Sequence, residues 1–205
     1  MFKADWVETY FSRVRPWQVV AIWGPFAGWL FVRGLHSTTS PSSAVCWAAT
    51  GVVLWTLLEY GLHRFVFHFV PNEHSEFQND AAWLIHGIHH DYPWDGDRLV
   101  FPPAAAAVIV AILWWPLKIS LGPAFHATFA GMIVGYVWYD LTHYYLHHGH
   151  PTTGLGRWLR RYHLVHHFAT PDVRYGITTP LWDLVFGTYP RDGRVGAAEP
   201  AEAAP

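Results

Sequence analysis

The sequence predicts an all-α integral membrane protein, with four transmembrane helices carrying a histidine-rich helical cap on the cytosolic side. Three observations predict it. Hydrophobic residues make up 52% of the 205 and charged residues only 14%, against roughly 25% charged in an ordinary soluble domain. Four apolar segments approach the length of about 20 residues that a helix needs to cross a bilayer. Ten of the 15 histidines fall into four short clusters that border those segments: His63/His68, His86/His89/His90, His143/His147 and His163/His166/His167.

The elements follow in order. Phe2, Trp6 and Tyr10 recur at four-residue spacing within Met1–Val14, the pattern of a short amphipathic helix lying on the membrane. Asp5 and Glu8 interrupt any cleavable signal pattern there. The first span covers residues 17–35, with Gly24-Pro25 as a kink. The Ser/Thr/Pro turn 37–43 leads to a second span at 44–62, which should leave the membrane before the helix-stopping Pro71. The third, 104–121, is opened by Pro102-Pro103 and broken near Pro116. The tight turn Gly122-Pro123 then folds a fourth, 124–141, against it as a hairpin. Leu155, Trp158, Leu159 and Tyr162 stand at i, i+3, i+4 and i+7, with Arg157, Arg160 and Arg161 mostly off that stripe. This is the signature of an interfacial helix against acidic headgroups, or of a docking face for an acidic partner. Residues 1–190 read as a single domain and 191–205, rich in Ala, Glu and Pro, as a disordered tail. A soluble bundle of four buried helices is the competing reading. Short connections and Trp-rich segment ends, from 13 Trp in all, argue against it.

Charge sets the orientation. Four spans put Lys3, Arg13, Arg15, Arg64, Arg98, Arg157, Arg160, Arg161, Arg174, Arg191 and Arg194 on one side and only Arg33 and Lys118 on the other. That bias makes the first side cytosolic, and all four histidine clusters lie on it. A net charge of −2 gives no electrostatic case for nucleic acid, and a single cysteine excludes an internal disulfide framework and a Cys/His zinc finger.

Imidazole is the commonest protein metal ligand and suits Fe, Zn, Cu and Ni. Ten candidate ligands are too many for one ion and about right for two. His86/His89/His90 and His163/His166/His167 each stand at i, i+3, i+4, and His143/His147 at i, i+4, so each group shares a helix face. His63 and His68, five apart, lie about 140° around an ideal helix. They converge only if the helix end distorts, or they serve different ions. A single histidine at a membrane border is readily an interfacial or core residue, but two HxxHH triplets with two further pairs on one side are not. Two divalent ions at a low-dielectric boundary need charge compensation. Glu59 and Asp140, one turn before His63 and His143, can accept ring N–H bonds from ligand histidines, or serve as interfacial caps. Asp91 and Asp172 are less specific alternatives.

The text around these clusters resembles the fatty acid hydroxylase/sterol desaturase superfamily of membrane dimetal enzymes. Within it the likeness is greatest to the fatty acid 2-hydroxylases that act on sphingolipid acyl chains. The matching stretches are EYGLHRFVFH from Glu59, HGIHHDYPWDGDRLVFPP from His86, GYVWYDLTHYYLHHG from Gly135, RYHLVHHF from Arg161 and YGITTPLWDLVFGT from Tyr175. The resemblance implies that the ten histidines hold two metal ions. Hydroxylation with O2 then requires iron, since zinc has no redox chemistry, although histidine alone accepts zinc as readily. It also implies a membrane lipid substrate whose tail enters between the spans, with Trp138, Tyr144 and Tyr145 as candidate contacts or as plain interface aromatics. The N-terminal b-type cytochrome domain of eukaryotic members is missing, which implies a separate electron donor, a b-type cytochrome, ferredoxin or similar protein. Sterol or other lipid oxidation, or desaturation, is the neighbouring enzymatic reading. A membrane metal-binding protein without activity is the other.

Overall fold

A computed structural model describes residues 13–190. The expected amphipathic segment at the N-terminus, up to residue 12, and the expected tail at 191–205 lie outside the described residues. Among the described residues every regular element is helical. In chain order these are α1 (Pro16–Ser37), α2 (Pro41–Gly61), a π-helical turn (Leu62–Phe67), α3 (Glu76–Ala82), a second π turn (Trp83–Gly87), α4 (Ile88–Asp91), α5 (Pro103–Leu121), a 3-10 turn (Gly122–Ala124), α6 (Phe125–His148), α7 (Gly154–Phe168) and α8 (Leu181–Phe186). They form two compact units, residues 13–55 with 96–141 and residues 56–95 with 142–190.

Three helical runs are long and apolar enough to cross a membrane: Pro16–Ser37, Pro41–Phe67 and Pro103–His148. The third, at 46 residues, is folded back on itself. Trp114 packs edge-on against Phe125 and Phe129, with ring centroids 4.9 and 5.5 Å apart, whereas 15 residues of straight helix would separate two positions by about 22 Å. Further along, the backbone of Phe101 donates to Asp140 at 2.9 Å and accepts from the Tyr136 hydroxyl at 3.2 Å. Helices α5 and α6 are therefore antiparallel, hinged where Gly122 adopts a φ of 53°.

The expected break at Pro116 does not occur, for α5 runs through it to Leu121, and α1 likewise continues through Pro25. An internal proline removes one backbone donor, and membrane helices tolerate that when side chains engage the freed groups. The group freed at Pro116 is the Ile112 carbonyl; the Ser120 hydroxyl bonds the Pro116 carbonyl one turn further on, at 2.8 Å.

In the first unit, α2 and α6 approach backbone to backbone. A Cβ built on Gly51 would lie 1.9 Å from the Thr128 carbonyl oxygen, and one on Gly131 would lie 1.9 Å from that of Ala48. Small residues allow this contact, as they do between membrane helices generally. Above it the Tyr136 ring meets Trp23 edge-on at 5.8 Å and Trp55 at 5.3 Å. The outer faces stay apolar: Val108, Ile112, Trp115 and Ile119 of α5 are all exposed. A helix that is apolar all round belongs in a protein core or in a bilayer, and the exposure of these residues favours the bilayer. The same unit contains a cavity of about 540 Å³ among α1, α2 and α6, lined by apolar groups including Gly24, Ala27, Ala48, Gly131, Leu141 and the expected contact Trp138.

In the second unit, α7 buries Tyr162, His163, Leu164, Val165 and His166 along consecutive positions. Leu155 is exposed, while Tyr162 points inward and stacks on Trp158 and Tyr189 with centroids 5.2 and 5.7 Å away. The arginines of this helix are partly engaged within the chain: Arg160 donates to the Leu146 carbonyl at 2.9 Å, and Arg157 to that of Thr152.

Candidate metal centre

All ten clustered histidines come together in the second unit, sorted into two sets of five. His63, His68, His86, His90 and His166 form one; His89, His143, His147, His163 and His167 form the other. Within each set the ligand atoms all lie within 4.8 Å of one another. His148 is in neither set: its ring stacks on Tyr144, centroids 4.8 Å apart.

Local geometry explains the sorting. The π turn at Leu62–Phe67 closes with the His68 N–H bonded to the His63 carbonyl, five residues back, at 3.1 Å. A π-helix carries one extra residue per hydrogen-bonded turn, so a five-residue spacing becomes a shared face. The His63 and His68 Nε2 atoms consequently sit 3.2 Å apart. Each HxxHH triplet is divided. The i and i+4 members stay together, His86 with His90 and His163 with His167, while the i+3 member, His89 or His166, turns to the other set. Each set is therefore one helical pair, one i/i+4 pair from a triplet, and one single histidine from the other triplet.

Nitrogen spacing carries the chemistry. Nε2–Nε2 separations are 3.2 Å for His63–His86, 3.1 Å for His86–His90 and 3.1 Å for His68–His166. In the second set they are 2.8 Å for His147–His163 and 3.1 Å for His163–His167. Two nitrogens held at right angles about an ion, each at about 2.1 Å, lie about 3.0 Å apart, whereas tetrahedral placement gives about 3.4 Å. The observed edges of 2.8 to 3.2 Å are of the size that nitrogens gathered about one ion in each set would have.

Proton positions agree with that fit. His63 Nδ1–H donates to the Tyr175 carbonyl at 2.6 Å and His166 Nδ1–H to the Val173 carbonyl at 2.7 Å. Each ring then presents a bare Nε2 lone pair inward. Converging lone pairs repel unless a cation lies among them. Burial, reinforced by the proximity of other imidazoles, holds His86, His89, His163, His166 and His167 well below the usual histidine range. Burial brings the less enclosed His68 and His90 down to about 4. At neutral pH these rings are unprotonated, the form that binds metal.

The carboxylates are placed otherwise than the sequence suggests. Glu59 does not bond a histidine ring. It accepts from the Ile177 and Thr178 N–H groups at 2.8 and 2.9 Å and from the Thr178 hydroxyl at 2.7 Å. Asp140 accepts from the Phe101 N–H. Of the suggested substrate contacts, Trp138 lines the cavity and Tyr144 and Tyr145 do not. Sequence reasoning missed the segment from residue 169 to 180, between α7 and α8, whose backbone carbonyls serve His63 and His166. Carbonyl acceptors leave no residue signature. The one available signal was Asp183, an acid within the apolar run LWDLVF. Asp183 is fully buried and accepts from the Tyr175 and Gly176 N–H groups at 2.9 and 2.8 Å and from the Thr188 hydroxyl at 2.7 Å.

Known proteins resemble this chain over most of its length. A family model described as fatty acid hydroxylase matches residues 48–188. The chain is 45% identical over 191 residues to a dihydroceramide fatty acyl 2-hydroxylase of Arabidopsis thaliana, covering 92% of this chain and 79% of that one. It is 37% identical over 208 residues to the fatty acid 2-hydroxylase of Rattus norvegicus, covering 92% of this chain and 56% of the relative. A solved structure of full-length Scs7p, in which only the hydroxylase domain is visible, superimposes with a TM-score of 0.84 at 36% identity, over 90% of this chain and 69% of that one.

Proposed function

The chain belongs to the fatty acid hydroxylase family, and from that premise we propose that it inserts oxygen at C2 of a fatty acyl chain, in particular the N-acyl chain of a sphingolipid. It is an integral membrane enzyme, an oxidoreductase, with helices long and apolar enough to span the bilayer. The observation that carries the proposal is the paired set of five imidazoles at coordination spacing.

In this reading the ten histidines hold two metal ions, five ligands to each. Iron, when bound there, supplies the redox chemistry with O2 that attack on an unactivated C–H bond requires and that zinc lacks. The balance is one C–H bond and O2, with two electrons and two protons, giving one C–OH and water. The electrons come from a separate donor protein. The chain's own residues do the rest. His63 and His166 are fixed in one tautomer and orientation by the Tyr175 and Val173 carbonyls. The buried rings exclude water and keep the lone pairs aimed inward. No histidine is required as an acid or base, since all ten are ligands. The apolar cavity of about 540 Å³ accommodates part of an acyl tail, with Trp138 in its wall. Regiochemistry follows from holding the carbon beside the acyl carbonyl in place, as positioning does generally. The folded-back run α5–α6 counts as two crossings, so the chain crosses four times with both sets of histidines on the cytosolic side.

Lipid mass spectrometry of cells expressing the protein tests the activity. The expected product carries one additional oxygen at C2 of the acyl chain. Loss of two hydrogens instead would make it a desaturase. An unchanged lipid profile with iron and an electron donor supplied would remove the proposal.

A further inference from the structure

The two sets of histidines are not supported equally. The first has two of its five rings, His63 and His166, bonded at Nδ1 to carbonyls of one short segment, at 2.6 and 2.7 Å. In the second, the Nδ1 atoms of His163 and His167 are buried without a hydrogen-bond partner, and the backbone acceptor of His147, at Pro93, lies outside that segment. A ring nitrogen so anchored fixes the tautomer and orientation of the ligand and raises its basicity. An unanchored one does neither.

The segment that provides both acceptors is held on every side. Asp183 binds the N–H groups of Tyr175 and Gly176, and Glu59 those of Ile177 and Thr178. These four consecutive N–H groups end on two buried carboxylates. Between the two acceptor carbonyls stands Arg174, a non-glycine residue at a φ of 66°. That conformation is disfavoured for a residue with a Cβ and persists where the surroundings over-determine it. Here they do. The Arg174 N–H donates to the Thr188 carbonyl at 3.2 Å, its guanidinium donates to the Thr170 hydroxyl, and it lies over the Tyr162 ring at 5.8 Å. Gly176 has no room for a side chain, since a Cβ would sit 2.1 Å from the Thr179 carbonyl oxygen.

We propose that residues 173–178, clamped by Asp183 and Glu59, are a positioning strap that makes the His63/His68/His86/His90/His166 site the tighter of two unequal metal sites. Asp183 acts through the strap carbonyls and touches neither metal nor substrate. The inference rests on the histidines being metal ligands, but it is tested separately from them.

The experiment is a chelator challenge of the purified, detergent-solubilised protein loaded with zinc, following metal release over time. The parent protein is expected to carry about two ions per chain and release them in two equal phases. His167→Ala should remove the fast phase and leave the slow one. Asp183→Asn puts an amide N–H against a backbone N–H in place of an acceptor. It should accelerate the slow phase about tenfold or more, in line with the loss from removing a ligand's supporting partner, and leave the fast phase alone. If Asp183→Asn does not fold, Thr178→Val, which removes only the hydroxyl bond to Glu59, should accelerate the slow phase to a smaller degree. A single release phase, or two phases that shift together in the strap variants, overturns the inequality while leaving the metal reading intact. A parent protein that binds no zinc overturns both.

Discussion

At the scale of single residues, the centre is built from neutral imidazoles, and protons should compete with folding as well as with metal. His68 and His90 titrate near 4 in the folded, metal-free chain, below the ordinary 6.5. Between those values the unfolded chain binds more protons than the folded one, so stability rises with pH across the window and is lost as pH falls through it. The metal-stripped protein should therefore melt several degrees lower at pH 4.5 than at pH 7, by thermal unfolding in detergent. A flat profile would show that the rings are not held neutral. His86→Ala and His89→Ala alter positions three residues apart that belong to different sets. Each should lower bound metal from about two ions to about one and bring hydroxylation to background, measured by elemental analysis and lipid mass spectrometry. The histidines themselves were legible in the sequence because three of their four clusters follow helical spacing. Their sorting was not, because an i, i+3, i+4 pattern defines a face and says nothing about which member turns away. Glu59 was legible as a residue near the centre, but its partners are backbone groups 118 and 119 positions away, which no local pattern encodes.

At the scale of elements, two devices matter: the π turns and the glycine contact. The π turn at Leu62–Phe67 is what reconciles a five-residue spacing with one site, and the second, Trp83–Gly87, carries His86 and leads into His89 and His90. Hydropathy reads neither, since an inserted residue leaves composition unchanged. The helices themselves were legible from apolar length. The proline at 116 misled the reading because a helix in lipid keeps its other backbone hydrogen bonds, with no water there to compete for them. Gly51 and Gly131 hold α2 against α6 with no space for a methyl group. Gly131→Ala should destabilise the protein by about 1–3 kcal/mol, the usual cost of overpacking, seen as a lower Tm. Gly24→Ala, where nothing lies within 4 Å, should leave Tm unchanged. Equal melting of the two variants would contradict the close approach.

At the scale of the whole molecule, the four-crossing reading with a cytosolic centre predicts where the chain can be labelled. In a Cys46→Ser background, Thr39→Cys lies in the turn between α1 and α2, and Thr152→Cys lies between α6 and α7. An impermeant maleimide should reach Thr39→Cys from outside intact cells or from the lumenal side, and Thr152→Cys only from the cytosol. Labelling of both from one side would overturn the topology. The charge bias is the ground for this orientation, since Arg33 and Lys118 are the only basic residues that the four-span reading puts near the opposite turns. The division of the ten histidines also bears on biosynthesis. The first set draws four members from before residue 91, yet its fifth is His166; the second set ends at His167. In the two-ion reading a nascent chain has neither site complete until α7 has emerged, and then both become complete at consecutive residues. On that reading metal loading is thereby deferred until the membrane helices have been synthesised, and a chain truncated between His90 and His166 would hold part of each set and a finished site for neither.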